Sequence, residues 1–397
     1  SVAGEDFKDS VNIRVNDIYP KAVGTFSPST EVCGNSNFSF TGNTSTGNNL
    51  QYRWVMGDGV TYTTANPNHS FNKAIGASGS TQIYNVILTV TNNVGCTDNL
   101  TLPVTVKRIP DANLSVADGN VTTFPKTDGL TTFRDCNNQQ SREFVFSNAS
   151  STLSDNTNYE IDWGDGSPKV TMATWDPATA LKHTFQKGLT KVTFSVTNNG
   201  NCVNTRVFNV FVGSNPSGGF ATEGNTTGLC APSDVKFKIN NYANNGTGTL
   251  YTFAINDGSE SVVMQHPPQD EVGHKFLKSS CSFRSIDGTN NAFYASLVIE
   301  NPCEPPTTLF ISPIMVSDKP NPVMISPTNV CVNTSVNFSH TGEYGELAST
   351  TTCSSNGKQV WTVSPEIGFT PNNVANLGNL NNSNLNAGNW TNGAVNL

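Results

Sequence analysis

The chain is 397 residues long with a formal net charge of -8, and only 13% of its residues are charged and 36% hydrophobic. Its 22 basic residues form no run or stripe, which sets aside nucleic acid and anionic membrane surfaces as partners, and no apolar window is long enough to span a bilayer. The length exceeds one ordinary domain, and abundant Asn, Ser, Thr and Gly with little Lys and Glu point to an extracellular, β-rich chain with little helix.

In chain order, residues 1–17, with the stretch SVNIRVND, read as the last strand of a preceding repeat. No basic-then-apolar leader follows Ser1, so a removed signal or excision from a longer polypeptide is expected. Residues 18–108 then present a fixed order of features. These are Pro20, Cys33, the alternating stretch NFSFTGNTS, the phrase YRWVMGDG ending in Asp58 and Gly59, His69 with Phe71, the β-branched run YNVILTVTNN, and Cys96.

The order returns over 109–214 with Pro110, Cys136, EFVFSNAS, YEIDWGDG ending in Asp165 and Gly166, His183 with Phe185, KVTFSVTNN and Cys202. Over 215–317 it is degenerate but complete: Pro216, Cys230, DVKFKIN, YTFAINDG ending in Asp257 and Gly258, His274 with Phe276, YASLVIEN and Cys303. A fourth unit, 318–397, opens with Pro320, Cys331 and SVNFSHTGE, changes to VWTVSPEIG and runs into an Asn-rich end, so it is incomplete or variant. The period of roughly a hundred residues is that of an immunoglobulin-sized sandwich.

Within each unit Tyr52, Trp54 and Met56, or Tyr159, Ile161 and Trp163, alternate with more polar neighbours. Such period-two alternation puts one strand face on a core and the other in water. Asp-Gly directly after such a strand is a turn signal, because Gly accepts positive φ and Asp bonds the backbone two residues on. Acid–base chemistry would require a second titratable group within reach, and only the recurring His residues qualify. The reading adopted is a structural bend at Asp58, Asp165 and Asp257, with an inward Phe and an imidazole that hydrogen-bonds the turn. Each unit offers one such His and no acidic loop, so no metal or cofactor is expected. Trp175 and Trp390 are candidates for a core position or for an aromatic carbohydrate platform.

The stretches WVMGDG, NHSF and YNVILTVTNNVGC, and again IDWGDG, KHTF and KVTFSVTNNGNC, resemble the PKD (polycystic kidney disease) domain. The flanking cysteines are similar to those of PKD arrays in secreted Bacteroidetes surface proteins, gliding-motility adhesins among them. The resemblance implies tandem immunoglobulin-like β-sandwiches arranged as a rod, with no catalytic residues of their own. The fold class expected is therefore all-β.

Nine cysteines without a CxxC pair speak for disulfides and an oxidising compartment. If corresponding cysteines pair within units, the bridges are Cys33–Cys96, Cys136–Cys202 and Cys230–Cys303. Each would close roughly 60 to 75 residues and disfavour the unfolded chain by about 4 kcal/mol. The pairing of Cys281, Cys331 and Cys353 stays open, and the polypeptide is expected to continue past residue 397.

These features favour a non-catalytic structural or adhesive repeat region of a secreted bacterial surface protein, part of a fibre, whose partners are neighbouring repeats or subunits and surface glycans or proteins. Strand donation from residues 10–17 into the fourth unit of the next molecule is one route to a filament. The alternative is a polymer-binding accessory or spacer region of a larger secreted hydrolase, against which stands the lack of an HExxH or GxSxG motif.

Overall fold

Alternating apolar side chains build each of the first three repeats as two antiparallel sheets that share one core. The computed structural model describes residues 19–354, apart from 118–119, 125–127, 332–333 and 335–336, together with 395–396. The strand expected in 1–17, most of the fourth repeat beyond 354, and Trp390 lie outside these residues.

In the first repeat, β1 (Thr25–Ser27), β2 (Phe38–Thr41), β3 (Gln51–Val55), β4 (Thr61–Tyr62), β5 (Asn68–His69), β6 (Thr81–Thr91) and β7 (Thr97–Lys107) follow in sequence. One sheet has the order β4-β3-β6-β7 and the other β1-β2-β5. Strand β6 shows the pattern most plainly: Tyr84, Val86, Leu88 and Val90 are buried, while Ile83 before them and Asn85 and Ile87 between them face outward. Those four meet Phe38, Phe40, Trp54, Met56, Phe71, Val104 and Val106 from both sheets in one cluster. Trp54 lies at its centre with no exposed surface, and its indole N–H donates to the Ala65 carbonyl at 3.2 Å. Gly42 is required beside it, because a Cβ there would come within 2.8 Å of the Trp54 ring.

The second repeat places Val170–Met172, Asn156–Asp162, Gly188–Asn198 and Val203–Val212 side by side in that order, with Leu181–Gln186, Ser141–Asn148 and Leu114–Val116 in the other sheet. The third repeats the scheme with Val262–Gln265, Leu250–Ile255, Phe293–Glu300 and Thr307–Ile314 in one sheet, and Gly219–Thr222, Ser233–Asn240 and Glu271–Phe276 in the other. The fold is all-β, made of tandem immunoglobulin-like sandwiches. Among the described residues the only helical turn is Leu153–Asp155. Trp175 takes the core alternative: it is buried against Tyr159 and Phe194, with its N–H on the Thr179 carbonyl at 2.7 Å.

The chain gathers into two compact units. One comprises residues up to Asn120 with Glu143–Phe185 and Thr190–Val210, and the other Val121–Arg142, Gln186–Leu189 and Phe211 onward.

The disulfides depart from the expected pairing. Within the first unit Cys33 is bonded to Cys202, and within the second Cys136 is bonded to Cys303 and Cys281 to Cys353. Cys96, Cys230 and Cys331 are free thiols, so the expected bridges Cys33–Cys96, Cys136–Cys202 and Cys230–Cys303 do not form. The reason is strand length. Cys33 lies on a lead-in segment that runs parallel to β7 and pairs with Lys107, at one end of that strand, whereas Cys96 immediately precedes Thr97 at the other. Ten residues of extended chain separate those ends by about 34 Å, against the roughly 4.4–6.8 Å between Cα atoms that a disulfide spans. In the third repeat Cys230 pairs with Ser317 after the last long strand, and Cys303 comes before it. The first cysteine of the first repeat and that of the second each reach the second cysteine of the following repeat.

Loops of 169 and 167 residues are closed in this way. In the chain-entropy picture each closure disfavours the unfolded ensemble by about 5 kcal/mol. Peptide mapping without reduction is expected to recover Cys33–Cys202, Cys136–Cys303 and Cys281–Cys353, and recovery of Cys33–Cys96 would reverse the assignment. Replacing Cys33 and Cys202 together by serine is expected to lower the urea midpoint, by up to about 5 kcal/mol of stability.

Candidate functional site

The strand that ends in each Asp-Gly delivers its carboxylate to the same two partners in all three repeats. One oxygen accepts from the backbone N–H two residues on: Asp58 from Val60 at 3.1 Å, Asp165 from Ser167 at 3.0 Å, Asp257 from Ser259 at 2.9 Å. The following glycine adopts positive φ, 99° at Gly59, 87° at Gly166 and 92° at Gly258, which closes the bend. The other oxygen meets a histidine Nε2, at 3.0 Å for Asp58 and His69 and at 2.7 Å for both Asp165 with His183 and Asp257 with His274.

A carboxylate only accepts, so each Nε2 carries the proton it donates. In the first repeat the Tyr62 hydroxyl lies 3.1 Å from the other ring nitrogen, Nδ1. Behind each imidazole stands the Phe two residues later, at 4.7 Å between ring centroids in every repeat. The sequence separation of Asp and His differs, 11, 18 and 17 residues, because hairpins of different length intervene.

The electrostatics follow from the geometry. Burial pushes the Asp165 carboxyl upward, but hydrogen bonds from Ser167 and His183 outweigh it and bring the pKa from 3.8 down to about 2. Asp257 is likewise raised by burial and lowered on balance by Ser259 and His274. In the first repeat the pair is 5% exposed on each side chain and borders an open depression of about 380 Å³, lined also by Asn37, Tyr62, Asn68 and Lys73.

Every acceptor oxygen of these carboxylates is thus occupied by the bend and the imidazole. The arrangement clamps the turn to the strand carrying His. Among the described residues no group of three or more His, Cys, Asp or Glu could hold a metal ion. The first clamp position tolerates change: Gly57 and Gly164 have φ of 81° and 75°, whereas Asn256 in the third repeat bonds Tyr294 N–H through its side chain.

Residues 20–107, the first of these sandwiches, match the PKD domain family. PKD and related immunoglobulin-like domain families are typically non-catalytic. No curated protein matches the chain. Among solved structures it is similar to a Ca2+-stabilised adhesin that helps an Antarctic bacterium reach out and bind ice, at 10% identity over 81% of this chain and 83% of that one with a TM-score of 0.20. It is also similar to a tetra-tandem repeat from the extending region of a large adhesion protein, at 9% identity over 75% and 74% with a TM-score of 0.24. A third similarity is to the eight N-terminal Ig domains of Down Syndrome Cell Adhesion Molecule, at 10% identity over 83% and 46% with a TM-score of 0.25.

A native pKa below the unfolded value means that the unfolded chain binds more protons across the interval between them. The stability contributed by Asp165 is therefore present above about pH 4 and lost as pH falls toward about 2. Asp165→Asn is expected to cost about 1–2 kcal/mol at neutral pH, after allowance for solvent screening of this partly exposed pair. Urea unfolding at a series of pH values checks this, since the gap between wild type and variant should close between pH 4 and 2.

Proposed function

We propose that this chain is a non-catalytic, extracellular structural and adhesive repeat region of a secreted bacterial surface protein, and that it forms part of a fibre. The observation that carries the reading is the covalent joining of successive repeats, Cys33 to Cys202 and Cys136 to Cys303. Bridges inside a domain protect that domain; bridges from one repeat to the next serve a chain that transmits load along its length. Three disulfides fit an oxidising, extracellular setting. Among the described residues no helix is long and apolar enough to cross a membrane.

The repeated Asp–His clamp supports the same reading, because its polar groups are engaged in holding a bend closed. The partners proposed are neighbouring repeats or subunits of the same protein, with glycans or proteins of other surfaces met by exposed loops. Repeat boundaries near 18, 109, 215 and 318 are proposed as the junctions.

Two measurements test this. Antibodies against residues 19–354 are expected to decorate filaments on intact cells in electron micrographs, and labelling confined to the cytoplasm would count against it. Pulled from its ends, the oxidised chain has a covalent route from Cys33 to Cys303 that runs only through 136–202. It is expected to extend over that span by roughly 220 Å at 3.3–3.6 Å per residue, and by roughly 900 Å after reduction. Equal extension in both states would contradict a load-bearing role for the bridges.

A further inference from the structure

The two classes of cysteine occupy equivalent places in each of the first three repeats. Those of the first class lie on the lead-in segment beside the end of the last strand: Cys33 pairs with Lys107, Cys136 lies between Asp135 and Asn138, which bond Gly213, and Cys230 pairs with Ser317. Those of the second class close the turn before that strand, their N–H held by an Asn side chain. Asn92 accepts from Cys96 at 2.9 Å, Asn198 from Cys202 at 3.0 Å, and Asn301 from Cys303 at 2.8 Å. Two first-class and two second-class members are already joined across repeats, with nearly equal separations of 169 and 167 residues. Cys96 of the second class and Cys230 of the first are free, as is Cys331, which opens the fourth unit.

Within each class the bonded members are the less exposed. Cys202 and Cys303 are each 1% exposed, whereas Cys96 is half-buried in the same local turn, and Cys33 and Cys136 are half-buried whereas Cys230 is exposed. Cys230 also lines a depression of about 250 Å³ with Ser317, Tyr344 and Leu347, so its thiol is open to a partner. Neither can pair inside its own repeat, where the complementary cysteine lies a strand length away and is already bonded.

We propose that Cys96 and Cys230 are the two open half-rungs of a staggered disulfide ladder, each taking a cysteine of the complementary class from another repeat of this design. Cys96 accepts a lead-in cysteine, and Cys230 accepts a turn cysteine that follows an Asn. The chemistry is thiol–disulfide exchange: the Cys230 thiolate attacks a small-molecule disulfide such as oxidised glutathione and expels one glutathione thiolate. The partner's turn thiolate then attacks the Cys230 sulfur and expels the second, so two protein thiols are oxidised and one glutathione disulfide is reduced to two thiols. The inference stands apart from what the repeats adhere to, and its failure would leave the adhesive reading in place.

The test is partner mapping on protein taken from its native surface, alkylated before any reduction. Cys96 and Cys230 are expected to be alkylated to about a tenth or less before reduction and fully afterwards, because a disulfide-bonded sulfur has no thiolate to alkylate. Their cross-linked peptides should carry a cysteine of the opposite class. The mass of the partner peptide tells a repeat of the same polypeptide from a second copy of this chain. Cys230→Ser is expected to leave the three bonded pairs intact and to release its partner cysteine for alkylation. Free thiols at both positions in native material, glutathione adducts, or like-with-like pairs would each overturn the ladder.

Discussion

A disulfide has to be short, and each sandwich is one strand long; together these set the covalent plan of the molecule. The lead-in cysteine and the turn cysteine of a repeat lie at opposite ends of its last strand, so closing a bond requires the next repeat. Local features are arranged around that requirement. The Asn before each turn cysteine fixes the direction of its backbone, and Cys202 and Cys303 are buried where the bond is made. A chain with 36% hydrophobic residues relies on such bonds to supplement cores of modest volume.

The Asp–His clamp is the second recurring device, and it solves a local problem. A strand buried on one face must leave the core through a tight bend, whose backbone N–H groups need acceptors. Asp58, Asp165 and Asp257 supply one oxygen to the bend and give the other to an imidazole on the neighbouring sheet. Because the histidine also packs edge-on against a core Phe, the bend is tied to both sheets. Hairpins of different length can then be accommodated between the two partners without moving them.

Much of the fold was legible in the residues. The phrase around Trp54 and its counterparts, the β-branched runs and the His-x-Phe stretches all became strands, because period-two burial is a local property. That the imidazole bonds the turn could be anticipated, but how it does so could not: separations of 11, 18 and 17 residues hide a common geometry that only the sheet order reveals. The cysteine pairing was misread for a related reason. Order along the chain suggests a pin across each sandwich, and only the parallel pairing of Cys33 with Lys107 shows that the lead-in segment ends far from Cys96. Trp175 was favoured for a core position over a surface platform, and in the buried site its N–H is received by the Thr179 carbonyl.

The two long loops overlap, since Cys136 lies inside the span from Cys33 to Cys202, and Cys202 lies inside the span from Cys136 to Cys303. Any peptide bond between Cys33 and Cys303 is consequently enclosed by at least one ring. A protease that nicks the backbone there severs nothing, because both fragments stay tethered through sulfur, and a strand exposed to foreign enzymes survives its first cut as a single molecule.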